Sequence, residues 1–328
     1  MKVLVYPIIY KNMYLIKMLI GDGTYGCVYR PSYKCKSRQK NVIGKIFKDQ
    51  SSFLNEKKIM KLINVKIDPK QIFTLKMVDD CVIDLKLDKS TKECKHIKKN
   101  GKYYQLVYKD GGVSLSKQLH TNYDFFDYFN GILSIAKGLV LLEKYSLCHR
   151  DIKESNITVY DKRMYLIDFG LAISYEKLYD LDEDIILNYD YPYYPPEFKI
   201  FYDIKTLTDF TDVDKIKSKI LKHVLKSYDD FIDAYNIEKT IDNFIWKIKT
   251  ISVDKLKSRL INHANKVDVF SFGMVMMKLL MNSSSRKNEW KKEIFDIFQE
   301  CIDSNPFTRI PPKKLYKRLN DFKKIRFG

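Results

Sequence analysis

The sequence predicts an α+β chain in two lobes, a small strand-rich part with one main helix and a larger helical part. Two observations predict it. A glycine-punctuated strand pair and a further apolar strand open the ordered pattern. After about residue 112 the apolar residues change to helical spacing. With 328 residues, the chain is long enough for two such parts and a sizeable core.

The first element is "LIGDGTYGCVYR", Leu19 to Arg30. Gly21, Gly23 and Gly26 give G-x-G-x-x-G, which is weak by itself because dinucleotide folds use it too. The flanks decide. Here the glycines run into "CVYRPSYK", which reads as strand rather than helix. A hairpin lid over phosphates follows, formed by Ile20, Gly21, Asp22, Gly23, Thr24, Tyr25, Gly26, Cys27 and Val28. Glycine lets backbone N–H groups come close to phosphate oxygens.

"NVIGKIFKD" comes next as a buried strand with Lys45 in its middle. A buried lysine is costly unless paired. "SSFLNEKKIMKLI" predicts a helix from Ser51 or Ser52, with Glu56 able to turn toward Lys45. "FTLKMVDDCVIDLKL" reads as strands, and "DKSTKECKHIKKNGK" as a basic, solvated hairpin loop without a function. "YYQLVYKDGGVSL" reads as a strand ending in a linker, Lys109 to Gly112.

The second part carries "NYDFFDYFNGILSIAKGLVLLEKYS", a long helix, then "CHRDIKESNI" and "LIDFG". "NKVDVFSFGMVMMKLLM" is apolar nearly all round and reads as a buried helix. "EIFDIFQECIDSNPFTRIPPKKLYKRL" reads as two helices joined by a Pro-containing turn.

Taken in order, these are a glycine hairpin, a strand lysine, a helix glutamate, HRDIKxxN, DFG, PPE, DVFSFG and a late arginine. The chain resembles the eukaryotic-type protein kinase family over roughly residues 14–322. The wording "GDGTYGCVYRP" is also similar to kinases of large DNA viruses. The resemblance implies a bilobal protein-kinase-like fold: N-lobe 1–108, hinge 109–112, and C-lobe 113–328 with a helical insert at about 198–266. It implies ATP and Mg²⁺ as cofactors and a protein substrate. Asp151 would orient the acceptor hydroxyl and take its proton, and Lys153 would steady the γ-phosphate. Asn156 and Asp168 would ligate Mg²⁺. Lys45, held by Glu56, would grip the α- and β-phosphates, with Lys109 and Gly111 in the ATP site. A lysine two residues after the aspartate implies serine/threonine specificity. A pseudokinase-like scaffold is the alternative, and intact catalytic positions weigh against it.

The resemblance has three departures. About seventy residues separate Glu197 from Asp268, where the family has a short link. A docking helix after "MMKLLMNSSS" is reduced or absent. The segment "LNYDYPYYPPE" lacks the threonine expected ahead of the PE pair, and Asp190 lies near that position. Glu197, Arg309 and Asp268 match support positions of the family.

The 59 basic and 41 acidic residues give a net charge of +18. That field favours an acidic substrate or another polyanion. AT-rich coding explains the lysine count equally well, and no nucleic-acid motif accompanies it. The six cysteines are scattered without a CxxC pair. They read as reduced thiols of an intracellular protein, cytoplasmic or, for a viral kinase, in the host cytoplasm or virion. Cys94 and His96 alone make a poor zinc site. No apolar run predicts a membrane span, no signal peptide is read, and the oligomeric state is not legible.

Overall fold

The computed structural model describes residues 17–35, 40–47, 49–180, 191–206, 217–218, 234–248 and 251–328. The fold is the bilobal protein-kinase type, with a β-sheet lobe and a helical lobe. The chain divides into two compact units: Met1–Lys57 with Lys76–Asp110, and Lys58–Leu75 with Gly111–Gly328.

The first unit is a five-stranded antiparallel sheet. Its strands are β1 (Met18–Asp22), β2 (Gly26–Arg30), β3 (Val42–Phe47), β4 (Met77–Leu85) and β5 (Gly101–Lys109), in the order β1-β2-β3-β5-β4. Side chains alternate between faces along each strand. Lys45 pairs with Leu106 in register, while its neighbour Ile46 pairs with Gln105 and Cys27. One face therefore carries Lys45, Phe47 and Leu106, and it receives helix α1 (Gln50–Leu62) through Phe53. The helix starts one residue earlier than expected. Asp49, rather than a serine, accepts from Ser52 N at 2.8 Å, which satisfies a free amide of the first turn. Its carboxyl is held below the usual range by hydrogen bonds from Ser51 and Ser52.

The other face buries Cys27, Tyr29, Ile46, Ile83 and Leu85 against Cys94 and Ile97. Two sequence expectations fail here. The basic stretch 88–102 is not a solvated hairpin loop throughout. Thr91, Cys94 and Ile97 are buried in it. Four of the six cysteines are not thiols either, because Cys27 bonds to Cys94 and Cys35 to Cys81. Cys148 and Cys301 are the two free cysteines, both buried. The pairs were invisible in the spacing because the fold brings distant segments together: 67 and 46 residues separate the partners. The intracellular expectation loses the support it drew from reduced thiols.

In the second unit, Lys58–Leu75 packs with the helical lobe rather than with the sheet. Buried Asp68 organises it, accepting from the amides of Ile72, Phe73 and Thr74 at 2.7–3.0 Å. Phe73 lies against Gly138 of helix α2 (Phe129–Lys144), where a Cβ would come within 2.3 Å of its ring. The stretch Phe125–Lys144 has the length and apolarity of a membrane span. Two-thirds of it is buried inside the protein, so it is a core helix, and no membrane span is indicated among the described residues.

The remaining helices are α3 (Pro196–Thr206), α4 (Ala234–Ile248), α5 (Val253–Ile261), α6 (Val267–Met281), α7 (Asn288–Cys301) and α8 (Pro312–Phe327). Helix α6 is buried on nearly every side, as its sequence predicts. The described part of the 198–266 segment is largely helical. Ile241, Phe244, Ile245 and Ile248 of α4 form its buried face. Phe244 meets Phe307 at a ring distance of 5.4 Å, which docks this helix beside Arg309. Residues 207–216, 219–233 and 249–250 of that segment lie outside the described residues.

Candidate active site

The glycine loop is the β1–β2 hairpin, closed by Gly23 N donating to Gly26 O at 3.0 Å. Gly26 is required by packing, since a Cβ there would sit 1.9 Å from Ile46 O. Gly21 and Gly23 are different. A Cβ at either meets nothing closer than 3.7 Å, so the protein's own packing does not demand glycine. Asp22, Gly23 and Thr24 are exposed at the turn, Ile20, Tyr25 and Val28 are half-buried, and Val28 faces Gly21 in register. His96 reaches Gly23 O at 2.7 Å, and the Cys27–Cys94 bond lies just behind it. Asp22, Cys27 and His96 bring possible ligand atoms within 4.8 Å of one another. The Cys27 sulfur is in a disulfide and is not a thiolate ligand.

In the same unit, Lys45 Nζ lies 2.6 Å from Glu56 Oε2. Glu56 Oε1 accepts from Tyr108 Oη at 2.7 Å. Both charges are buried, and each is paired, which is the condition under which burial is tolerated. Lys109 ends β5 with its amide donating to Lys76 O at 3.0 Å. Gly111 belongs to the second unit, where a Cβ would crowd Leu75 and Thr158 at 2.5–2.6 Å.

The second unit carries the HRDIKxxN loop. Buried Asp268 accepts from His149 N at 2.6 Å and from Arg150 N at 2.9 Å, fixing the backbone just ahead of Asp151. The His149 ring is also assigned by its partners. Nδ1 accepts from Asp151 N at 3.2 Å, so Nε2 carries the proton and donates to Ile167 O at 3.0 Å. Its ring meets Phe169 edge-on at 4.5 Å.

Asp151 is held at both oxygens. Oδ2 accepts from Asn156 Nδ2 at 2.7 Å and from Lys153 Nζ at 3.0 Å. Asn156 Nδ2 also donates to Asp151 O at 2.9 Å. Both amide hydrogens of Asn156 are thus committed to Asp151, which leaves its carbonyl oxygen as an acceptor. Asp168 adopts left-handed backbone angles, φ 63° and ψ 70°, with its carboxylate over Gly170 N.

Two residues of this site were missed from the sequence. Tyr191 Oη donates to Asp151 Oδ1 at 2.6 Å. Tyr193 Oη donates to Glu154, and Lys278 Nζ lies 2.9 Å from the same phenol oxygen. Burial and then the neighbouring carboxylate push both phenols up, so both remain protonated donors. The legible signal was the aromatic run "YDYPYYPPE". Asp190, the expected stand-in for the absent threonine, lies outside the described residues.

Glu197, in the first turn of α3, pairs with Arg309 at 2.6 and 2.7 Å, both residues fully buried. Arg309 also stacks over the Phe270 ring at 4.9 Å.

The family model described as "Protein kinase domain" matches residues 14–200, more than half of the chain. A calcium-dependent protein kinase 3 of Plasmodium yoelii yoelii is 30% identical over 197 residues, covering 57% of this chain and 32% of the relative. The namesake from Plasmodium berghei is also 30% identical, with 31% of its length covered. A probable serine/threonine-protein kinase mkcE of Dictyostelium discoideum is 25% identical over 216 residues, covering 64% and 24%. The chain spans about a third or less of these relatives.

Proposed function

The chain belongs to the protein kinase domain family, and from that premise we propose that it transfers the γ-phosphate of ATP to serine or threonine hydroxyls of protein substrates. The observation that carries this reading is the Asp151 carboxylate. It is gripped by Asn156 and Lys153 in a loop whose amides are pinned by Asp268. Phosphoryl transfer needs positioning and charge neutralisation more than covalent help, and a fixed carboxylate beside a cation supplies both.

Each residue then has a task. Asp151 orients the acceptor hydroxyl and takes its proton. Lys153 neutralises charge that builds on the transferred phosphoryl group. Lys45, kept in place by Glu56, holds the α- and β-phosphates. Gly21 and Gly23 leave open the space that a Cβ would fill, which suits close approach of backbone amides to phosphate oxygens. Ile20, Val28 and the linker residue Lys109, all of the first unit, belong to the same proposed nucleotide site.

Mg²⁺ fits the donor set at Asn156 and Asp168, an amide carbonyl turned away from Asp151 and a carboxylate, both hard oxygen ligands. When bound there, the ion would neutralise phosphate charge. Serine/threonine preference is supported by Lys153 and by the names of the relatives. The glycine-loop wording supports a kinship with kinases of large DNA viruses. An acidic substrate is supported by the net charge of +18 and by lysine runs of the 198–266 segment.

The test is phosphate incorporation into a dephosphorylated acidic protein with Mg²⁺–ATP, read by mass spectrometry, against Asp151→Asn. Serine or threonine phosphorylation that vanishes in the variant is expected. Equal incorporation by both proteins refutes the assignment.

A further inference from the structure

We propose that Tyr191 is a positioning residue for phosphoryl transfer, its hydroxyl setting the orientation of the Asp151 carboxylate. The inference rests on the protein-kinase reading above. Asn156 and Lys153 both bind Oδ2, so by themselves they hold one corner of the carboxylate. Tyr191 binds the other oxygen, Oδ1, at 2.6 Å. A third contact on the second oxygen fixes the plane of the group, which two contacts on one oxygen do not. Oδ1 keeps a further lone pair for an acceptor hydroxyl, so the phenol orients the carboxylate without saturating it.

The tyrosine is itself secured. Its ring stands 5.3 Å from Tyr193 and 4.8 Å from Tyr194, with the Lys153 ammonium 5.5 Å from its centroid. Tyr193 is anchored at both ends. Its hydroxyl lies between Glu154 and Lys278, and its carbonyl accepts from Ser271 Oγ at 2.8 Å. Glu154 is three residues past Asp151, so the two phenols grip the catalytic loop at two successive carboxylates. The tyrosine-rich segment ahead of Glu197 thus gives Asp151 a hydroxyl donor from a long side chain. A serine or threonine at 191 would fall short by the length of the ring.

Tyr191→Phe separates this role from packing, because it keeps the ring and deletes only the hydrogen bond. With Mg²⁺–ATP and dephosphorylated casein, kcat should fall by about ten- to 150-fold, the range expected for one hydrogen bond to a charged group. KM for ATP should stay within about two-fold, and the thermal midpoint should fall by no more than a few degrees. Tyr191→Ser should not recover the rate. A purely structural tyrosine predicts wild-type kcat in the Phe variant, and that result overturns the proposal. A faster Phe variant overturns it as well, since the hydroxyl would then be blocking the site. Phosphate found on Tyr191 after incubation with ATP overturns it by making the residue an acceptor. The contact has its own readout. The ¹³Cζ-tyrosine resonance missing in Tyr191→Phe should shift in Asp151→Asn. If it does not, the hydrogen bond is absent and the proposal falls. A wild type that phosphorylates no acceptor, with that resonance still responding, refutes the kinase reading and the positioning role with it, while the contact stands.

Discussion

Glu197 and Arg309, 112 residues apart, meet in a two-point ion pair sealed from solvent. Burial works against the guanidinium charge, and Glu197 outweighs it, so the arginine is held more firmly protonated than usual. Breaking one side of such a pair strands the other charge in the interior. Arg309→Met and Glu197→Ala should each lose about 3–5 kcal/mol in urea unfolding. The double variant Arg309→Met, Glu197→Leu should lose less than the sum of the two. Single losses below about 1 kcal/mol would show the pair to be unimportant.

Under the proposed function, Lys45 and Asp151 serve the chemistry rather than the fold. Lys45→Met and Asp151→Asn should each lower kcat/KM by at least about a thousand-fold, several kcal/mol of transition-state stabilisation. Circular dichroism should remain that of the wild type. Lys45→Met removes the ammonium paired with buried Glu56, so a modest fall in melting temperature accompanies it. Near-normal turnover by either folded variant would refute the assigned roles.

Local spacing explains what the sequence could show. The glycine hairpin, Lys45 in its strand and Glu56 on its helix are written within forty residues of one another. Asp151, Lys153 and Asn156 share one loop. What escaped depends on contacts between distant segments. Tyr191 reaches Asp151 across 40 residues, and nothing in a tyrosine-rich run says which ring will do so. Lys58–Leu75 joins the helical unit because Asp68 folds it and Phe73 packs on Gly138, neither of which periodicity reveals. The cysteine partners depend on how β2, the 31–35 stretch, β4 and the 88–102 stretch come together.

The Cys27–Cys94 bond ties the end of the glycine hairpin to the segment that carries His96. Non-reducing peptide mapping should recover Cys27–Cys94 and Cys35–Cys81 linkages. Cys94→Ser should destabilise the protein by about 2–4 kcal/mol, because it releases a loop of 67 residues in the unfolded chain. It should also raise KM for ATP several-fold with a smaller effect on kcat, since the hairpin loses a support while Asp151 is untouched. Complete alkylation of all six cysteines in the native, unreduced protein would contradict this.

Lys266 gives a pH dependence of stability. Its ammonium donates to Pro306 O and Phe307 O at 2.9 and 3.1 Å, beneath the Phe307 ring that receives α4. Burial, and then the charge of Arg309, lower its pKa from 10.5 to about 8. Between those values the unfolded chain holds a proton that the folded protein has released. Stability contributed by this group therefore rises with pH across that window and is lost as pH falls through about 8. Lys266→Met removes the titration along with the two hydrogen bonds. The informative quantity is the slope. Relative to the variant, the wild type should gain on the order of 1–3 kcal/mol between pH 8 and 10 in urea titrations. The tyrosines and the two free cysteines are common to both proteins and cancel in the difference. Parallel profiles over that range would mean that Lys266 keeps its proton in the fold.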